Sequence, residues 1–244
     1  ENGKIVALFG GDLCVLSGNV FKRNCRLSTS FFVDQRAVLY SLDNGRLLAN
    51  TSAGIFLIDT RHSLFRSSRV VLSGVNVTCA AKDNIYILNF ITGICCYDRK
   101  TLRLKYHSGQ AMPVVPEEAV AWRGNLYFSG HDGIYVVDGR DHAISRLPEN
   151  VQKALSPDFI SRLYVTPNNM LFIGYCSQFA LRKLRSIEDF QQQLRTDGLY
   201  NIFHHHGVTS VTQDGQGNIF GALDNDSIFL MAKNGKNIQM ASLN

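Results

Sequence analysis

The chain has 244 residues, of which 45% are hydrophobic and 18% charged, and its mean hydropathy of -0.04 is ordinary for a globular protein. No window approaches the ~18 consecutive apolar residues that a membrane-spanning helix needs, and the formal net charge of +5 is well short of a basic tail that wraps nucleic acid. The chain opens at Glu1 without Met or a secretory leader pattern, so we expect a processed product or an excised soluble domain.

One motif recurs along the chain. It consists of a turn residue, a Leu or Ile beside an apolar residue, a short gap, and Gly-Ile opening a segment that ends in Asp. The clearest copies cover 45–59, 83–98 and 124–138, and weaker copies begin near Gly3, Asn168 and Gly217. The residue before the first Leu or Ile stands at positions 4, 46, 84, 125, 169 and 218, a period of 38 to 49 residues. Six copies at this period, rich in β-branched and aromatic residues, predict an all-β, six-bladed β-propeller of four-stranded antiparallel blades.

The boundaries of the copies predict a single β-propeller domain over 1–244. Its blades are expected at about 3–33, 37–73, 75–108, 117–148, 160–206 and 207–244. The last copy predicts four strands, at 208–213, 218–223, 227–232 and 237–242, separated by turns of Asp, Asn and Gly. The first copy begins on its second strand, so we expect the first or last blade to be completed by the opposite terminus, which removes sheet edges. A short helix is predicted at 186–194, with Ser186 as its N-cap.

Two families share features with these repeats. The unit that runs from Gly124-Asn125-Leu126-Tyr127 to Gly133-Ile134-Tyr135-Val136-Val137-Asp138 resembles the repeats of the periplasmic sensor propellers attached to bacterial two-component regulators. The segments 154–157, 162–164 and 217–223 resemble parts of the Yellow and royal-jelly family, which is also six-bladed. The first resemblance implies a secreted or extracytoplasmic module. It also suggests a further alternative, that the chain is the sensor ectodomain of a larger signalling protein. Neither implies a particular activity, since propellers host many unrelated functions.

Charged residues sort by the turn in which the repeat places them. The turns between third and fourth strands collect cations, and the first-to-second turns add Lys82 and Arg123. The predicted basic face comprises Lys22, Arg23, Arg61, Arg99, Lys100, Arg140, Lys183, Arg185, Lys233 and Lys236. Such a face can attract an acidic partner protein by long-range steering; the alternative is that the charges only keep the turns solvated. Nucleic acid is not expected as a partner, because no aromatic residues are interleaved for base stacking.

The opposite turns carry acidic residues and histidines near the predicted channel mouth. A ligand-binding site there would comprise His204, His205, His206, Glu117, Glu118, His131, Asp132 and Asp224. Adjacent residues of an extended chain point to opposite sides, so the three consecutive histidines cannot all reach one ion, and no metal or cofactor is expected. The alternative is a divalent metal held by an imidazole together with Asp224, Asp132 or His131. This surface is the basis of an alternative function, a small-ligand-binding or hydrolase-type propeller.

Other candidate residues favour structural roles. Asp59, Asp98 and Asp138 recur at one repeat position, which predicts turn capping. Trp122 is interpreted as core between blades, with the floor of a ligand pocket as the alternative. Cys14 and Cys25 fall on neighbouring strands and could form a disulfide if their alternation matches. Because neither a nucleophile elbow nor a phosphate-binding glycine loop is present, no catalytic residue is assigned. The favoured function is a non-enzymatic module that binds a partner protein through one face.

Overall fold

The computed structural model describes most of the chain and divides it into two compact units. The described residues are 4–9, 11–27, 38–42, 45–51, 54–71, 76–81, 83–155, 160–166, 169–175, 181–184, 206–233 and 237–242. The units are Glu1–Pro113 and Val114–Asn244, and each is described separately below. No helix in these ranges is both long enough and apolar enough to cross a membrane.

The first unit contains three antiparallel sheets in which each strand pairs with its neighbour along the chain. The first sheet has three strands, β1 (Val6–Phe9), β2 (Asp12–Ser17) and β3 (Val20–Arg26). The second sheet has four strands, β4 (Val38–Leu42), β5 (Arg46–Thr51), β6 (Gly54–Asp59) and β7 (Arg66–Val71). The third sheet also has four, β8 (Asn76–Ala80), β9 (Asn84–Asn89), β10 (Gly93–Asp98) and β11 (Leu104–His107).

The second unit contains three further sheets of the same up-and-down type. The fourth sheet comprises β12 (Glu118–Trp122), β13 (Asn125–Gly130), β14 (Gly133–Val137) and β15 (Ile144–Arg146), and is followed by helix α1 (Glu149–Leu155). The fifth sheet comprises β16 (Ile160–Val165), β17 (Leu171–Tyr175) and β18 (Leu181–Leu184). The sixth sheet comprises β19 (Val208–Gln213), β20 (Ile219–Leu223), β21 (Ser227–Met231) and β22 (Ile238–Ser242).

These sheets are arranged as a β-propeller, which confirms the predicted fold class. The described residues form six sheets, one for each copy of the repeat, but five blades are identified in this part of the chain, against the six predicted. The first and fifth sheets have three strands in the described part of the chain, so not every copy of the repeat forms a complete four-stranded blade. The single-domain interpretation over 1–244 stays a prediction.

Of the predictions for the chain ends and the short helix, the one for the last four strands is confirmed. The four strands expected in the last copy are present almost to the residue. The expected completion of a blade by the opposite terminus is not found among the described residues, because β22 pairs with β21 of its own sheet. The helix predicted at 186–194 lies outside the described residues, whereas helix α1 was not predicted.

The Gly-Ile element of the repeat has a steric cause. Gly93 and Gly133 each open the third strand of their sheet with positive φ, +85° and +136°, a region that favours glycine. A Cβ at Gly93 would collide with the Ser108 hydroxyl, and one at Gly133 would collide with the Gln152 side-chain amide. The glycine therefore leaves room for the groups that pack against the outer side of the third strand.

Apolar clusters join consecutive sheets within each unit. In the first unit, Leu13 packs with Leu47 and Phe56 between the first and second sheets, and Leu48 packs with Ile85 between the second and third. The burial of such side chains supplies the main stabilisation of a sheet-on-sheet interface.

In the second unit, Trp122 lies in the core between the fourth and fifth sheets, as predicted. Its side chain is 2% exposed and packs against a cluster that includes Leu163 and Ile173. Its indole Nε1 donates a hydrogen bond to the Asn169 carbonyl at 3.0 Å. Trp122 is therefore core rather than the floor of a ligand pocket.

The five described cysteines are free thiols, so the condition for a Cys14–Cys25 disulfide is not met. A register shift between Leu13 and Cys14 places Cys25 opposite Leu13, while Cys14 faces Arg23. The two cysteines are therefore not directly paired across the strands. Burial raises the pKa of both thiols, which favours their neutral form.

Candidate functional site

The aspartates that recur at the end of the third strand cap the turns that follow. Asp59 Oδ1 accepts the backbone N–H of Arg61 at 3.0 Å, and Asp138 Oδ1 accepts that of Arg140 at 2.7 Å. Asp98 Oδ1 accepts the N–H of Thr101 at 2.7 Å and that of Lys100 at 3.1 Å. The prediction of turn capping is confirmed, and these bonds fix the backbone of the turns that carry the cations.

The turn ends of the second and third sheets form a cationic surface in the first unit. We call it the basic turn surface, and it comprises Arg46, Arg61, Arg66, Arg99, Lys100, Arg103 and Lys105. Among the described residues at these sheet ends, the carboxylates are Asp59, Asp83 and Asp98, so seven cations are accompanied by three carboxylates. The surface therefore has an excess of positive charge.

Two arginines of this surface connect the sheets through backbone carbonyls. Arg99 lies in the third sheet's last turn and donates through Nη2 to the Ser41 carbonyl of β4 at 2.8 Å, and through Nη1 to the Ala81 carbonyl at 3.1 Å. Arg46 of β5 donates in the other direction, to the Lys100 carbonyl at 2.8 Å. The reciprocal bonds hold the turn at 99–103 against the second sheet.

The remaining cations divide into paired and exposed groups. Arg61 forms a two-pronged pair with Asp59, and Lys105 Nζ lies 3.0 Å from Asp98 Oδ2. Hydrogen bonds from Arg61, side chain and backbone, lower the pKa of Asp59. Lys100 lies in the turn itself and Arg103 directly before β11, where its carbonyl accepts the Asp98 N–H; both side chains are exposed.

Several predicted members of the basic face lie elsewhere. Lys22 and Arg23 are in strand β3 rather than in a turn, because β3 spans Val20–Arg26, and Lys183 is within β18. In the second unit, cations at the corresponding ends of their own sheets are Arg123, Arg140 and Lys233. Arg185, Lys236 and Lys82 lie outside the described residues.

In the second unit, an ion pair joins the first strands of successive sheets. The Glu118 carboxylate of β12 accepts a hydrogen bond from Arg162 Nη1 of β16, and Arg162 Nε donates to the Thr209 carbonyl of β19. Register irregularities in β16 and β19 fall beside Arg162 and Thr209, and such bulges redirect side chains at the rim of a sheet. Arg162, which sequence reasoning did not select, thus connects three sheets.

The other members of the predicted ligand site form separate pairs. Asp132 Oδ2 accepts the Tyr135 hydroxyl at 2.9 Å and lies 3.8 Å from Arg146. Asp224 Oδ1 lies 3.2 Å from His206 Nδ1, and its Oδ2 accepts the Gly207 N–H.

The described members of the predicted site are therefore not grouped as metal ligands, and the small-ligand site itself stays a prediction. Glu117 precedes β12, and His131 is exposed in the turn that contains Asp132. His204 and His205 lie outside the described residues. Within the ranges that the structure describes, no three His, Cys, Asp or Glu side chains are grouped so that they could hold a metal ion.

A groove on the sixth sheet was also missed by sequence reasoning. It has a volume of about 540 Å³ and lies on one face of β19–β22, with Phe220, Ile228 and Leu230 in its lining. The alternation of exposed Phe220 and Ile228 with buried Ile219 and Phe229 along their strands was the available signal.

Comparison with known proteins places the chain by fold only. No protein-family model matches it, and no curated protein is significantly similar in sequence. It is similar to the extracellular domain of a putative hybrid two-component system from B. thetaiotaomicron, with a TM-score of 0.67 and 13% identity over 100% of this chain and 34% of that one. It is also similar to PorZ, a surface component of the type-IX secretion system of Porphyromonas gingivalis (TM-score 0.63, 12% identity, 100% of this chain, 40% of that one).

A third similar structure is a chain of the nidogen/laminin complex, with a TM-score of 0.58 and 14% identity over 98% of this chain and 93% of that one. The chain spans about a third of the length of the sensor domains that it matches. These similarities confirm the predicted resemblance to sensor propellers. The resemblance to the Yellow and royal-jelly family stays a prediction.

Proposed function

We propose that this protein is a non-enzymatic recognition module that binds an acidic partner protein through the basic turn surface. The observation that carries the proposal is the reciprocal anchoring of Arg46 and Arg99 on carbonyls of the neighbouring sheet. Because these bonds and the Asp98 cap fix the turn, the exposed charges of Lys100 and Arg103 are held on a rigid backbone. Rigid positioning reduces the conformational entropy that binding would otherwise cost.

Electrostatics favours the same surface. An excess of cations over carboxylates raises the local potential and increases the rate of encounter with an acidic protein. Lys100 and Arg103 are placed to contact the partner, whereas Arg61 and Lys105 are largely engaged with Asp59 and Asp98. The similarity to extracellular sensor domains supports a recognition role without identifying the partner.

The test is a charge reversal in the anchored turn, with poly-L-glutamate as the acidic probe. The Lys100→Glu, Arg103→Glu double variant is compared with the wild type and with a control of equal charge, Lys22→Glu, Lys153→Glu. Both control positions are exposed and lie outside the basic turn surface. We expect about a tenfold loss of affinity at low salt in the first variant and about twofold or less in the control.

Equal losses in the two double variants would mean that net charge alone drives binding, and the assignment to this surface would then be wrong. Undetectable binding of the probe by the wild type at low salt would count against an acidic partner altogether. Binding of the wild type should weaken as salt is raised to about 0.15 M, since exposed charges are screened.

A further inference from the structure

The turn between β6 and β7 carries a histidine on the basic turn surface. The first unit contains two histidines, His62 in this turn and His107 at the end of β11. His62 lies in the chain between Arg61 and Arg66, which belong to the basic turn surface, and its side chain is 45% exposed. The second sheet packs against the first and third sheets, so both sheets next to this turn belong to the first unit.

Hydrogen bonds fix the backbone on both sides of this histidine. Thr60, which is 3% exposed, donates to the Gly45 carbonyl through its N–H at 2.9 Å and through its Oγ1 at 2.8 Å. On the other side, Asn24 of the first sheet donates to the Ser63 carbonyl at 2.9 Å and accepts the Phe65 N–H at 2.6 Å. Asn24 is the extra residue of a bulge in β3, and such bulges redirect side chains. The backbone at the histidine is therefore held by two sheets.

The carboxylate beside His62, that of Asp59, is already engaged by Arg61. Its Oδ1 accepts the backbone N–H and the Nε–H of Arg61 at 3.0 and 2.9 Å, and its Oδ2 accepts the Nη2 group at 2.5 Å. A Cβ at Gly45 would lie 2.9 Å from Arg61 Cγ, so the glycine leaves room for the arginine side chain in this position. His62 Nε2 lies 3.9 Å from Asp59 Oδ2, which is longer than a hydrogen bond. A positive charge on His62 therefore stays available to another carboxylate.

The charged groups of the elements around this turn also leave an excess of cations. The described charged residues of the first and second sheets and their turns, apart from the histidine, are Lys4, Asp12, Lys22, Arg23, Arg26, Arg46, Asp59, Arg61, Arg66 and Arg69. Eight cations thus accompany two carboxylates, and each carboxylate pairs with an arginine, Asp12 with Arg26 and Asp59 with Arg61. Protonation of the histidine would add to this excess rather than neutralise a lone carboxylate.

Protonation of a histidine on a cationic surface is coupled to the binding of an acidic partner. A carboxylate of the partner favours the charged form of a nearby imidazole, and by linkage the charged imidazole strengthens binding by the same factor. Histidine is the side chain that changes charge between about pH 5 and 8. We propose that protonation of His62 strengthens the binding of the acidic partner, so that mild acidity raises the affinity of the basic turn surface; the inference rests on the proposed function.

The expected change is small but measurable. Two unit charges separated by about 5 to 10 Å in water interact strongly enough to change an affinity by about two- to fourfold. At ~0.1 M salt the Debye length is ~10 Å, so charges that lie further from the partner contribute little. The affinity for an acidic probe should therefore rise about two- to threefold from about pH 8 to about pH 6 because of His62.

The test measures the affinity of the whole chain for poly-L-glutamate at about pH 8 and about pH 6, in ~0.1 M salt. The ordinary pKa of a glutamate side chain is about 4.3, so the probe keeps its charge at both pH values. His62→Gln should bind with one affinity at both, because the titrating group is gone. His62→Lys should also show no gain, and its constant charge should let it bind at the higher pH as tightly as the wild type binds at the lower.

His107→Gln is the matched control. His107 is exposed in the same unit, and its Nε2 lies 3.0 Å from the carbonyl of Thr92, in the turn between β9 and β10. That turn is at the other end of the third sheet from the turn that carries Lys100. The control should keep the wild-type gain, and all three variants should keep the circular dichroism spectrum of the wild type.

The possible results distinguish the role of His62 from the proposed function. Equal wild-type affinity at the two pH values would overturn the role of His62 and leave the basic turn surface as the binding site. A full gain that persists in His62→Gln would belong to other histidines, which also overturns that role. If the wild type does not bind the probe at either pH value, even at low salt, the proposed function is wrong and the role of His62 is wrong with it.

Discussion

Replacement of Gln152 tests how the short helix α1 completes the fourth sheet. The Gln152 side chain is 3% exposed. Its Oε1 accepts the Ile134 N–H at 3.0 Å, and its Nε2 donates to the Ile134 carbonyl at 2.5 Å. The side chain thus supplies the acceptor for the Ile134 N–H and shares the Ile134 carbonyl with the Leu147 N–H.

The cost of Gln152→Ala follows from these two bonds. The Ile134 N–H would lose its acceptor in a buried place, which costs about 1–3 kcal/mol. The Ile134 carbonyl would still accept the Leu147 N–H at 3.1 Å, so only one backbone group is left unpaired. With the lost packing, we expect the free energy of unfolding to fall by about 2–4 kcal/mol.

The assay is urea denaturation followed by the fluorescence of Trp122, the single tryptophan of the chain. Lys153→Ala, an exposed change in the same helix, is the control and should alter stability by less than about 0.5 kcal/mol. At neutral pH, Gln152→Glu should lower the free energy of unfolding more than Gln152→Ala does, because the introduced carboxylate would face the Ile134 carbonyl. That deficit should shrink as pH falls, since the protonated acid can donate there. A Gln152→Ala variant as stable as the control would refute the reasoning.

Two further predictions concern Trp122 and Asp98. Trp122→Phe removes the hydrogen bond to the Asn169 carbonyl and should lower the free energy of unfolding by about 1–2 kcal/mol in urea titrations followed by circular dichroism; no change would contradict the role of the indole N–H. Two hydrogen bonds lower the pKa of Asp98 from its ordinary value of 3.8: the larger effect comes from the backbone N–H of Thr101 and the next from the Lys105 side chain. Its contribution to stability is therefore present above that value and lost as pH falls below it, so the stability gap between the wild type and Asp98→Asn should narrow from pH 7 to about pH 2; an equal gap at both pH values would contradict the pKa shift.

The repeat made the strands predictable because its signal is local. Gly-Ile at the start of the third strand and Asp at its end are required by the backbone geometry of one sheet. The residues that set this geometry lie close together in the sequence. Gly133 requires a positive φ, and Asp138 caps the turn that follows. The last sheet was predicted almost to the residue for the same reason.

The candidate surfaces were harder to predict because they depend on contacts between distant residues. Arg99 reaches Ser41 across 58 positions of sequence, and Arg162 reaches Glu118 across 44. Neither pairing could be predicted from spacing along the chain. Lys22 and Arg23 were assigned to a turn because the pattern of the first copy does not mark where β3 begins.

The outer sides of the third and fourth sheets differ at one repeat position. Ile94 and Ile134 are the second residues of β10 and β14, and both have a buried N–H that needs an acceptor. In the third sheet the acceptor is the Ser108 hydroxyl, beyond the end of β11. In the fourth sheet it is Gln152, from a helix that follows a three-residue strand. The repeat thus conserves the need for an acceptor but not the group that supplies it. Because the group is free to vary, the outer strands and the turns beside them can diverge without loss of the fold, and a β-propeller can acquire binding surfaces there.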